Sequence, residues 1–255
     1  MKSPYQVFVG FAAEDRDLIA EPIVYHLKNY GIPTCYDRHR RLLGENHKEK
    51  CMINGAGKST YACIVISQHT KASTCAMEEN DIVRSRFMRH EITVFPILYE
   101  LKPSEIPPEL QWIRGIIFKE VSKDSGTREI CNHIACRISS DILCNLKWTS
   151  LLEIVSTQPS AMSPSTHAIL CSYLEVDQSN LNSRVSLLYA AFLSITKTFQ
   201  LPDCVEILMV NKIFFRLFSE TKLNLPIDYR ELWLLENSIC ILINYCFADN
   251  TVSRI

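Results

Sequence analysis

The chain has 255 residues, of which 47% are hydrophobic and 22% charged, and its net charge is −1. This composition suits one large folded domain or two ordinary ones, and it excludes a disordered chain. A charge so near zero supplies no basic face for nucleic acid, and the one basic cluster, Arg38-His39-Arg40-Arg41, is short enough to be a solvated loop.

Residues 5–10 form a short apolar run rich in β-formers and read as a buried strand. Residues 15–30 have helical spacing, with Leu18, Ile19, Ile23, Leu27 and Tyr30 on one stripe. Asp15 or Asp17 is placed to cap this helix and Gly31 to end it. Residues 33–36 read as a second strand, and a polar loop runs on to Gly44. Residues 45–54 read as a second helix, ended by Gly55 and Gly57. The run Tyr61-Ala62-Cys63-Ile64-Val65-Ile66-Ser67 is the clearest buried strand. A third helix is expected over 70–89, a fourth strand over 93–99, a proline-bearing loop over 101–110 and a fifth strand over 115–118. Strand–helix alternation with continuously apolar strands predicts an α/β fold: a flavodoxin-like, five-stranded parallel sheet with helices on both faces.

The pattern changes near residue 125. Residues 127–152 read as a helix, whole or broken, and Gln158-Pro159-Ser160-Ala161-Met162-Ser163-Pro164-Ser165 resembles a linker. Residues 181–199, 205–218 and 229–246 carry wide apolar faces separated by Pro202 and Pro226, as in a small helical domain. The expected organisation is an α/β domain over 1–140, a connecting helix and linker over 141–165, and a mainly α-helical domain over 166–255.

Gly55-Ala56-Gly57-Lys58-Ser59-Thr60 imitates the end of a phosphate-binding loop, but Met52 stands where the pattern needs its first glycine. The segment also precedes a strand, whereas a phosphate loop follows one and opens a helix. There are 11 cysteines, several within apolar runs (Cys63, Cys171, Cys240, Cys246), and no basic-then-apolar leader opens the chain. Reduced, buried thiols in a cytoplasmic protein are expected. Cys131, His133 and Cys136 on one helix make a poor tetrahedral set, so no metal is expected. No apolar run is long enough to span a bilayer; the best, around 239–243, is flanked by Glu236, Asn237 and Asn244.

Four blocks in order carry a family likeness: Val9-Gly10-Phe11-Ala12-Ala13-Glu14-Asp15; Tyr36-Asp37 with Leu43-Gly44-Glu45; Ser59 to Ser67; and Cys75 followed four residues later by Glu79. Over about residues 4–140 the chain resembles a TIR (Toll/interleukin receptor-like) domain, especially the bacterial NAD-hydrolase kind, with a helical C-terminal extension. It departs from the family pattern in three places. Gly10 replaces a serine, Cys75 replaces a tryptophan, and Arg40-Arg41 stand where bacterial members often carry Glu-Leu.

The resemblance implies an enzyme that cleaves NAD+ at the nicotinamide–ribose bond, giving ADP-ribose or a cyclic variant. NAD+ is then substrate rather than cofactor. Glu79 maps onto the family's catalytic glutamate; read alone, it is a solvated helix carboxylate. Phe11, Ala12, Ala13, Asp37, Leu42 and Cys75 map to substrate-contacting positions. Phe11 either stacks on a ring of the substrate or caps the core, and Asp37 either assists or ends a strand. The resemblance further implies self-association through the TIR domain, and a bacterial antiphage or cell-suicide role controlled by assembly. The helical region would then be an oligomerisation module or the receiver of a small-molecule or protein trigger. Nucleic-acid and membrane partners are not expected. The competing reading is a non-catalytic TIR scaffold, which the loss of the tryptophan and the basic loop favour and Glu79 disfavours. A third is a nucleoside-processing enzyme of related architecture, which would use a carboxylate as covalent nucleophile.

Overall fold

The computed structural model describes residues 5–36, 55–157, 162–222 and 226–247. It divides into two units, Met1–Lys28 with Ile32–Cys131, and Asn29–Gly31 with Asn132–Ile255.

The first unit is a five-stranded, all-parallel sheet. Its strands are β1 (Val7–Gly10), β2 (Thr34–Cys35), β3 (Tyr61–Ile66), β4 (Thr93–Tyr99) and β5 (Lys119–Val121), in the order β2-β1-β3-β4-β5. Every residue of β1 and β3 is buried, as central strands covered on both faces require. Side chains alternate across the sheet, so Phe8, Ala62, Ile64 and Ile66 join one core with Val94, Leu98, Leu110 and Ile113. Helix α2 (Thr74–Met88) adds Val83 to that core, with Met77, Ile82 and Phe87 partly buried against it.

The first helical segment is more irregular than its spacing predicts. A 3-10 turn (Ala13–Asp15) leads into a π-helical turn (Arg16–Ala20) and then α1 (Glu21–Asn29). The wider π turn rotates the face: Ile19, Ile23 and Leu27 are buried as expected, whereas Leu18 is 66% exposed. Asp15 does not cap the helix with its side chain. Gly31 ends it with φ +76°, and Ile32 N–H donates to the Leu27 carbonyl at 3.0 Å, the bond of a Schellman turn.

Other boundaries differ too. The helix expected over 70–89 splits at Ser73, which ends a 3-10 turn (Thr70–Ala72) and caps α2 by accepting from Ala76 N–H at 3.3 Å. The expected loop at 101–110 is 3-10 helix over Pro103–Glu105 and Pro108–Gly115, since proline presets φ at a first helical position. The fifth strand is Lys119–Val121, not 115–118. Among the described residues it pairs only with β4, so it needs little apolar sequence, and the apolar Ile117 that suggested a strand is 97% exposed. The helix expected over 45–54 and the Arg38–Arg41 cluster lie outside the described residues.

The second unit is helical. After α3 (Arg128–Leu143) come α4 (Leu151–Thr157), α5 (Pro164–Glu175), α6 (Leu181–Thr198), α7 (Val205–Lys222) and α8 (Tyr229–Phe247). The helix expected over 127–152 is thus two helices, and α5 opens inside the expected linker, capped by Ser163. Residues 158–161 of that linker lie outside the described residues. Aromatic packing joins α6 to α7, with Phe192 and Phe214 stacked at 4.2 Å. Helix α8 is buried almost all round, and its polar residues are used to fix register. Asn244 accepts from Trp148 N–H at 3.1 Å and donates to its carbonyl at 2.8 Å. Asn237 donates to Ser139 at 2.9 Å, and Glu236 accepts from Arg184 at 3.0 Å. No described helix is long and apolar enough to cross a membrane.

Candidate functional site

In open parallel sheets ligands bind beyond the carboxyl ends of the strands, where the strand order reverses. Here that place lies between β1 and β3. Beyond β1 come Phe11, Ala12 and Ala13, and beyond β3 comes the link into α2, which carries Cys75 and Glu79. The structure brings these two groups of predicted residues to one edge of the sheet. Asp37 and Leu42 lie outside the described residues.

Glu79 is only 8% exposed, so it is not a solvated helix carboxylate. Glutamates are rarely buried so far without a specific role or partner. Cys75, one helical turn earlier and therefore on the same face, is exposed. Phe11 is half-buried; its ring centroid is 6.2 Å from that of Tyr36, tilted at 43°, and the Arg16 guanidinium lies 5.8 Å from it. The Ala12 methyl is fully buried, whereas Ala13 is exposed. Gly10 has a local reason: a Cβ there would stand 3.0 Å from the Phe8 ring and 3.1 Å from Ile64 Cδ1, closer than side chains ordinarily pack.

Sequence reasoning missed a polar pair at this edge. Asp15 is 1% exposed and accepts a hydrogen bond from the Ser67 hydroxyl at 2.6 Å. Burial raises the Asp15 carboxyl above its ordinary 3.8, against the lowering effects of the Ser67 bond and of His69. Burial also raises the Tyr99 hydroxyl, with Glu100 and Asp15 adding to the effect. Ser67 directly follows β3 and could have been noticed as a polar strand end, whereas Asp15 lies five residues beyond β1 and carries no such signal.

The segment that imitates a phosphate loop is committed elsewhere. Lys58 and Ser59 N–H both turn back onto the Gly55 carbonyl, at 3.2 and 3.0 Å, so neither is free to cradle a phosphate. Arg86 donates to the Ala56 and Ser59 carbonyls at 2.8 and 2.7 Å. A groove of about 350 Å³ lies beside it, lined by Gly57, Asp81, Ile82, Ser85, Arg86 and Arg89. Arg86 is about 10 Å along α2 from Glu79, at the other end of the strands. The described residues contain no cluster of three or more His, Cys, Asp or Glu able to hold a metal. Cys131 and Cys136 instead face separate backbone carbonyls, those of Ile23 at 3.6 Å and Arg230 at 3.3 Å.

The TIR domain family model matches residues 7–131. A probable 2′ cyclic ADP-D-ribose synthase, TcpO of Methanobrevibacter olleyae, is 26% identical over 52% of this chain and 39% of its own length. The 2′ cyclic ADP-D-ribose synthase BtTIR of Bacteroides thetaiotaomicron is 25% identical over 40% of this chain and 35% of its own. The chain thus spans between a third and two fifths of these relatives. Among solved structures, the TIR domains of the activated Roq1 resistosome directly recognizing the pathogen effector XopQ align with 22% identity and a TM-score of 0.38, over 44% of this chain and 72% of that one. Parallel strand order, family match and relatives agree, and residues 7–131 of this chain are a TIR domain.

Proposed function

We propose that this chain cleaves NAD+ at the nicotinamide–ribose bond, with Glu79 as the catalytic carboxylate. The observation that carries the reading is Glu79, only 8% exposed and on the helix that follows β3, beside the switch point of the sheet. The names of the two relatives support the substrate. Nicotinamide is a cationic leaving group in NAD+, so departure needs no strong acid. The C1′–N bond breaks, and its electron pair stays on the nicotinamide nitrogen. The ribose is left with oxocarbenium character. A buried carboxylate holds the ribose hydroxyls and stabilises that positive charge. Capture by water, which loses a proton, gives ADP-ribose; capture by a hydroxyl of the same molecule gives a cyclic product. The relatives' names favour the cyclic outcome. Phe11, Ala13 and Cys75 lie where they would border the substrate, as would the backbone of Ala12. In this reading, self-association through the TIR domain sets the activity, within a bacterial antiphage or cell-suicide system. Those last points are supported by the family resemblance alone.

The test is nicotinamide release from NAD+ by the full chain at high concentration, resolved by chromatography beside Glu79→Ala and Glu79→Gln. The expected result is release that falls at least about 100-fold in both variants, with a cyclic co-product. Release that survives in Glu79→Gln would refute the carboxylate assignment. No release from the unmodified chain at any concentration would favour a TIR scaffold.

A further inference from the structure

Two connections that are far apart in sequence meet at the switch point. One is the loop after β1, ending at Asp15; the other is the link from β3 into α2. The Asp15–Ser67 hydrogen bond of 2.6 Å joins them, and both partners are buried. The Ser67 oxygen also accepts from His69 N–H at 3.0 Å, and Ser67 N–H donates to the Thr70 hydroxyl at 2.9 Å. Ser73 N–H then donates to the Thr70 carbonyl at 3.2 Å, and Ser73 caps α2. The chain of contacts therefore runs from a buried carboxylate, through Ser67 and Thr70, to Ser73, the N-cap of the helix that carries Glu79. Bonded networks of this kind hold a site rigid when each member is satisfied.

We infer that Asp15 is a positioning residue, which through Ser67 fixes the start of α2, and with it Glu79, against the loop after β1. The catalytic consequence rests on the NAD+-cleaving reading; the structural consequence does not. The charged and titratable groups that act on Asp15 are Glu14 beside it, His69 on the link and Tyr99 at the end of β4. The role belongs to the hydrogen bond rather than to the charge, because the carboxylate is buried and accepts from Ser67.

The experiment compares the full chain with Ser67→Ala, Asp15→Ala, the double variant and Asp15→Asn. It measures nicotinamide release and, separately, amide hydrogen exchange. Displacing a catalytic group by about 1 Å costs on the order of 100-fold. The two single alanine variants are therefore expected to lower kcat about 10- to 100-fold with KM within about threefold. The double variant is expected to be no worse than the poorer single one, since both break one tie. Asp15→Asn keeps a hydrogen-bonding group beside Ser67 and is expected to hold kcat within about threefold. Exchange across 67–76 is expected to rise in the alanine variants while β4 stays protected. If Asp15→Asn is as impaired as Asp15→Ala, the charge matters and the inference fails. It also fails if the single effects add, or if exchange rises throughout the sheet. If the unmodified chain releases no nicotinamide, the NAD+ reading falls and the exchange comparison alone decides: unchanged protection across 67–76 overturns the positioning role.

Discussion

Replacing Arg86 tests whether a side chain near the end of α2 holds the glycine-bearing turn before β3. Its side chain is 12% exposed. One terminal nitrogen donates to the Ala56 and Ser59 carbonyls at 2.8 and 2.7 Å, and the other to the Glu91 carbonyl at 3.2 Å. Nε lies 3.5 Å from the Glu91 carboxylate. Hydrogen bonds from a charged donor contribute about 1.5–3 kcal/mol each, so the two short ones set a ceiling of about 3–6 kcal/mol. Water reaching the partly buried turn recovers some of that, which leaves an expected loss of about 2–4 kcal/mol for Arg86→Ala. Arg86→Lys keeps the charge but loses the second terminal nitrogen on the Glu91 carbonyl and the Nε beside the Glu91 carboxylate, and is expected to lose about half as much. Urea denaturation at unchanged m-value measures the loss, and hydrogen exchange in β3 assigns it to the first unit. A loss below about 1 kcal/mol in Arg86→Ala, or full stability in Arg86→Lys, would refute the clamp.

The π turn makes a paired prediction. Ile19→Ala is expected to destabilise by about 2–4 kcal/mol, since Ile19 is 1% exposed. Leu18→Ala is expected to stay within about 0.5 kcal/mol, since Leu18 is 66% exposed; equal losses in thermal or urea unfolding would place both residues on one buried stripe. Asp15 makes a pH prediction. Its folded carboxyl is raised above 3.8, so between that value and the raised one the folded state holds a proton that the unfolded chain has released. Stability due to this group therefore falls as pH rises through that window and stays lower above it. Asp15→Asn is expected to flatten that part of the stability profile and to be at least as stable as the unmodified chain at pH 7. A steeper fall, or a lower melting temperature at pH 7, would contradict the burial argument.

Much of the first unit was legible because its central strands are continuous apolar runs. Residues 93–99 were expected as a strand and are β4, and the strand expected over 61–67 is β3, ending at Ile66. Burial on both faces leaves little freedom in composition, so such strands announce themselves. Edge elements do not: β5 contains Lys119 and Glu120, and its place was given instead to the more apolar residues before it. In the helical unit α6 was expected within a residue of its end, because long periodic helices carry the strongest signal. Helix α5 was hidden because serines and prolines mark linkers and helix caps alike, and here Ser163 caps while Pro164 opens the helix.

At the candidate site, sequence alone placed Phe11 beyond the first strand and Glu79 on a helix after a later one, while the adjacency of those two strands came from the structure. The sequence could not tell that Glu79 is buried, because a glutamate on a helix of mixed character has no sequence signal for the depth of its side chain. Nor could it pair Asp15 with Ser67, two ordinary polar residues whose hydrogen bond spans 52 positions of chain. Local periodicity along the chain is enough for the alternating pattern, the parallel sheet and the helical character of the second unit. Which polar groups meet at the edge of the sheet is settled in the folded molecule, because those contacts depend on how the strands are ordered and how each loop turns, and no local pattern records either.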